Sequence, residues 1–126
     1  MNESTSDFIT RKNRDWEKND IVRTKNITRR FNLIWKREAW TFMPQSNYNE
    51  KVFVIERLRK MKIDGKIKGH GENLGEVEYR IGYFIVGKIG RARGRWVWGQ
   101  FCPLLPAQDL IELLGKAKEE KTILCT

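Results

Sequence analysis

From Val77 to Ile85 apolar side chains fall at every second position. Val77, Tyr79, Ile81, Tyr83 and Ile85 alternate with Glu78, Arg80 and Gly82. A period of two belongs to a β-strand with one row turned toward a core. This stretch restricts the fold more than any other. From Tyr83 to Val86 both faces are apolar, so the strand enters the core there. Gly90-Arg91-Ala92-Arg93-Gly94 has the composition of a turn. Arg95 to Phe101 then reads as the return strand, with Trp96 and Trp98 on one face and Val97 and Phe101 on the other. Pro103 closes it. A long hairpin over about 77–101 needs another layer to cover its apolar face.

Two helices are expected to supply that layer. Asn47 stands where a helix cap is needed, and Glu50 follows three residues later, as in a capping box. Val54, Leu58 and Met61 make a helical stripe, widened by Phe53 and Ile55. The spacing predicts a helix over about 48–62, stopped at Asp64-Gly65. Pro106 suits a helix start. Asp109 falls in the first turn of a second helix over about 107–120, and Leu110, Leu113, Leu114 and Ala117 form its stripe. The stretch from Arg29 to Phe42 fits both periods, because Phe31, Ile34, Trp35 and Glu38 are spaced helically while Phe31, Leu33 and Trp35 alternate. Residues 1–28 are polar and read as an N-terminal arm, partly ordered or helical. A helix over Asp15 to Arg30 is one form for it, and an arm that orders only on another surface is the other. Residues 29–126 are expected to form a single α+β domain with a small antiparallel sheet. A winged-helix arrangement is one version, with 48–62 as the recognition helix, Lys66 to Lys68 as a short strand and 77–101 as the wing.

The charge balance narrows the partners. The 126 residues carry 25 Lys+Arg against 16 Asp+Glu, a formal charge of +9. No apolar run exceeds the four residues from Tyr83 to Val86, far below the roughly 18 needed to span a bilayer. The first ten residues also lack an apolar secretory segment. Cys102 and Cys125 are too few for a disulfide framework. The expectation is a cytoplasmic protein with reduced thiols and no membrane partner.

The basic residues form two groups. Between Tyr79 and Leu105 stand Arg80, Lys88, Arg91, Arg93 and Arg95, with no acid among them. Three arginines crowd one turn, where guanidinium forks can meet phosphates. Trp96 and Trp98 stand behind the turn on one face, where an exposed pair could stack unpaired bases. The second group is Arg57, Arg59, Lys60, Lys62, Lys66 and Lys68, preceded by Arg29 and Arg30. Unbalanced charge on this scale repels itself, and an anionic partner relieves it. The residues expected to contact nucleic acid are therefore Arg91, Arg93, Arg95, Lys88, Lys60, Lys62, Lys66, Lys68, Arg29 and Arg30, with Trp96 and Trp98 as stacking candidates.

Catalytic signals are weaker. His70 is the only histidine, in a glycine-rich stretch with no nucleophile at informative spacing. The partnering Pro-Cys-x-x-Cys of a zinc deaminase is absent, and the glycines match neither GxxxxGK[ST] nor GxGxxG. Glu72, Glu76 and Glu78 are close enough in sequence to suggest a metal-dependent nuclease. They read more simply as surface carboxylates. No cofactor, metal or catalytic residue is expected. The sequence points first to a small accessory or regulatory protein that binds DNA or RNA through phosphates with little sequence preference. A protein-interaction module or homodimer is the alternative. In that case exposure of Trp35, Trp40, Trp96 or Trp98 would supply the contact surface.

Overall fold

A computed structural model describes residues 3–26, 31–64 and 74–124. Five strands follow one another in a curved antiparallel sheet, a half-barrel, in the order β1 (Ile21–Asn26), β2 (Phe31–Pro44), β3 (Lys51–Asp64), β4 (Val77–Val86) and β5 (Trp96–Trp98). Helix α1 (Thr5–Lys18) precedes them and α2 (Ala107–Glu119) follows.

The expected layout of a long hairpin covered by helices before and after is corrected in its first half. Residues 48–62 are not a helix: 48–50 complete a turn and 51–62 belong to β3, the central strand of the sheet, so the expected recognition helix and with it the winged-helix arrangement are corrected. The cause lies in Val52-Phe53-Val54-Ile55. Four consecutive apolar residues satisfy a helical stripe and a strand alike, and three of these four are β-branched, which favours the strand. Both faces of β3 are buried. Val52 and Val54 pack against α1, Leu58 packs with Val22 and Trp35, and Phe53 and Ile55 face α2. Met61, placed in the expected stripe, is 49% exposed. The described part of the ambiguous stretch, from Phe31 to Phe42, lies in β2, paired along its length with β3.

The hairpin itself is shorter on its return side than expected. β4 spans Val77–Val86, but β5 contains only Trp96–Trp98, and a 3-10 turn at Gly90–Ala92 lies between them. The second helix forms close to where its spacing places it. It buries Leu113 and Ala117 against Phe53, Ile55 and Tyr83, and leaves Leu110 and Leu114 partly exposed.

The described part of the N-terminal segment, residues 3–26, forms α1, β1 and the link between them. The Ser4 side chain caps α1 by accepting from the Asp7 N–H at 3.1 Å. Phe8 and Trp16 stand two turns apart on one face and pack on Phe42, Val52, Val54 and Phe84. Burying side chains of that size contributes about 1.5–3 kcal/mol each. The helix therefore comes earlier than the Asp15 to Arg30 stretch suggested, because Phe8 and Trp16 have a sheet face to cover. No helix among the described residues is long and apolar enough to cross a membrane.

Candidate functional site

The arginine turn is held by its own backbone. Gly87 donates to the Arg95 carbonyl and Gly94 to the Gly87 carbonyl, each at 2.9 Å, while Arg95 donates to the Ala92 carbonyl at 2.9 Å. Gly90 and Gly94 have φ of 62° and 75°, a region open to glycine at little strain. The loop thus presents Arg91, Arg93 and Arg95, all exposed, from a bonded frame. No carboxylate among the described residues pairs with any of the three. Arg93 reaches only the Lys88 carbonyl, at 3.4 Å. Lys88 is committed differently: it pairs with Glu50, whose carboxylate holds the ammonium pKa above its usual value.

The described members of the second basic group do not form one patch. On a strand its members alternate between faces. Arg57 and Arg59 turn to the α2 side and converge on Glu38, at 3.3 and 2.6 Å. Their hydrogen bonds, above all that from Arg59, hold the Glu38 carboxyl below its ordinary value. Lys60 lies on the opposite face over the Trp35 ring, 3.5 Å from Glu78 and 3.9 Å from Glu76. Those two carboxylates, candidates for a nuclease site, are therefore neighbours of a lysine. Among the described residues no group of three His, Cys, Asp or Glu could hold a metal ion. Lys62 is exposed. Lys66, Lys68, Arg29, Arg30, His70 and Glu72 lie outside the described residues.

The tryptophans are engaged in packing. Trp96 stacks on Phe8, with centroids 4.5 Å apart, and donates its indole N–H to the Glu3 carbonyl at 2.9 Å. Trp98 rests over Gly82, with Phe84 edge-on at 5.0 Å and the Arg80 guanidinium over its ring at 4.8 Å. It keeps 37% exposure. Trp35 and Trp40 donate their N–H groups to Thr24 and Asn13.

Two features escaped the sequence. One is a charge cluster beneath α1. Glu56 is fully buried and accepts from Arg37 at 2.8 Å and from Arg80 at 2.6 and 2.9 Å. Arg37 also lies 3.7 Å from the Trp16 ring centroid. Burial pushes the Arg37 pKa down and the Glu56 carboxylate pushes it partly back. The other is Lys12. Phe8, Lys12 and Trp16 stand at i, i+4 and i+8, so the lysine occupies a core-facing position of α1. Its ammonium lies 4.9 Å from the Phe84 centroid, and no hydrogen bond or ion pair to a described carboxylate holds it. Burial, then the nearby Arg11, lowers its pKa. Lys12 lines an open notch of about 380 Å³ together with Arg95, Gly94, Trp96, Arg11 and Glu3. The signal was available in the spacing, but only to a reading that placed the first helix at 5–18.

No protein family, curated protein or solved structure matches this chain.

Proposed function

We propose that this is a cytoplasmic accessory or regulatory protein that binds nucleic acid, mainly through phosphates and with little sequence preference. One observation carries the reading. Arg91, Arg93 and Arg95 project from a single hydrogen-bonded turn without a carboxylate partner, in a chain of charge +9 whose other arginines on the sheet are largely paired. Guanidinium forks without internal partners are suited to phosphate oxygens. Such contacts give affinity and position but no base readout.

The test is fluorescence anisotropy of labelled single- and double-stranded oligonucleotides at several salt concentrations. The comparison is the triple variant Arg91→Ala, Arg93→Ala, Arg95→Ala. The wild type is expected to bind and to weaken steeply with salt. For duplex DNA the variant should lose up to about 2.7 from the log–log slope, three phosphate contacts' worth. No binding at low salt, or an unchanged variant, refutes the reading.

A protein partner or homodimer is the second reading. It is favoured by the exposure of Ile111, 64%, between the partly exposed Leu110 and Leu114 on α2, and of Leu104, 83%, in the segment that leads into the helix. Apolar surface of this kind marks interaction sites, and association through it would depend only weakly on salt.

A further inference from the structure

Lys12 breaks the pattern of its own helix. An amphipathic helix that buries Phe8 and Trp16 calls for an apolar residue between them, and an ammonium there is partly desolvated. Buried charges in proteins are normally paired. Arg37, the buried cation on this face, obeys that rule through Glu56, whereas Lys12 is half-buried without such a bond. Lys12 has an aromatic ring beside it and no bonded acid: Arg11 and Arg37 act on it with like charge, Asp15 and Glu3 act with opposite charge, and neither carboxylate makes a hydrogen bond or ion pair with it. Places where a sequence departs from its local rule with only partial internal compensation are expected at functional sites.

The notch supplies the rest of the geometry. Arg95, the last arginine of the turn, lines one wall, and Lys12 and Arg11 on α1 line the other. Trp96 is fixed between them by Phe8 and by its bond to the Glu3 carbonyl. Arg11 is already occupied: its Nε and Nη2 donate to the two Glu3 carboxylate oxygens at 2.8 and 2.9 Å. That is the fork geometry in which arginine also holds a phosphate.

We infer that this notch is a phosphate-binding site in which Lys12 and Arg95 hold one phosphate of a nucleic-acid strand while Glu3 competes with it for Arg11. The identity of the ligand rests on the function proposed above; the site itself rests on Lys12 and the notch. Glu3 is then an internal acid standing in for the ligand, and it weakens binding by keeping Arg11 engaged.

The test uses the full chain with ¹⁵N label, titrated with inorganic pyrophosphate. The Trp96 indole N–H resonance is followed, because its partner is the Glu3 backbone. A saturable shift is expected. Lys12→Met should weaken it at least about tenfold, the effect of losing about 1.4 kcal/mol of binding. Lys12→Arg should largely restore it, and Glu3→Gln should tighten it several-fold. With duplex oligonucleotides, Lys12→Met should lower the log–log salt slope by about 0.9, one contact. An unmoved Trp96 resonance, or Lys12→Met behaving as wild type, overturns the site. An unchanged affinity in Glu3→Gln overturns the competition. If oligonucleotides bind through the turn arginines but ignore Lys12, the site fails and the function stands. If pyrophosphate binds at Lys12 but no oligonucleotide binds, the function fails and the site stands.

Discussion

Lys12 and Arg37 sit on the same covered side of the sheet and make opposite predictions, because only one of them has a counter-ion. Glu56 is fully buried between Arg37 and Arg80. Removing it strands Arg37 in a desolvated site beneath Trp16, so Glu56→Ala should destabilise the fold by about 3–5 kcal/mol in urea denaturation. A loss below about 1 kcal/mol would show that water reaches the arginines once the acid is gone. Lys12 should behave in the reverse sense. Lys12→Met keeps the aliphatic stem over Phe84 and removes a charge that burial disfavours, so it should stabilise by about 0.5–2 kcal/mol while weakening phosphate binding. The pH dependence follows from the lowered pKa. Below its folded pKa the lysine is charged in both states and the fold bears the full cost. As pH rises through that value the folded state loses its proton first, and the cost is relieved up to the ordinary lysine value of about 10.4. The stability gap between Lys12→Met and wild type should therefore be widest near neutral pH and narrow in alkali. A gap that is constant with pH would mean the gain comes from packing instead.

Among the elements, β4 and β5 are held together as much by one side chain as by their ladder, which has only three paired positions. A Cβ on Gly82 would stand 2.3 Å from the Trp98 ring, too close for any real contact. Gly82→Ala should cost about 1–3 kcal/mol, as overpacking does. Much of that cost should vanish in the Trp98→Ala background, giving a coupling energy that a double-mutant cycle reads directly. Additive losses would show that the glycine is needed for its backbone and not for the ring. This contact is invisible in the sequence, although Gly82 and Trp98 both stand in the expected hairpin, because cross-strand register is set by pairing over distance. The same reason separates what was legible from what was not. β4 declared itself because one of its rows alternates with polar residues. Helix α2 did so because Leu113 and Ala117 recur at helical spacing. β3 did not, since a strand buried on both faces has no period to display. Misreading it as a helix gathered Arg57, Arg59, Lys60 and Lys62 into one patch, where the strand divides them between two faces and gives all but Lys62 acid neighbours. The turn arginines were legible because a turn needs only local sequence. Lys12 was not, because its meaning depends on Phe8 and Trp16 being buried by a sheet more than twenty residues away.

At the scale of the whole molecule, the sheet separates two surfaces of different character. On one side lie α1 and the notch, walled in part by the arginine turn, where Lys12, Arg91, Arg93 and Arg95 have no bonded acid among the described residues. On the other lies α2, which carries Asp109, Glu112 and Glu119 against Lys116 and Lys118, together with its exposed leucines. An anionic polymer is attracted by the first and gains little from the second, since screening at physiological salt limits each charge to about 8 Å. Sheet and helices are packed through separate cores, so a ligand on one face has no direct contact with the other. Titrating labelled protein with a duplex should therefore shift amide resonances along Gly90–Trp98 and Thr5–Lys18 and leave those of Leu110–Lys118 in place. Shifts concentrated on α2 would instead make its apolar face the binding surface. They would also leave the unpaired arginines without a role, because a ligand seated on α2 lies across the sheet from the notch that Arg95 lines.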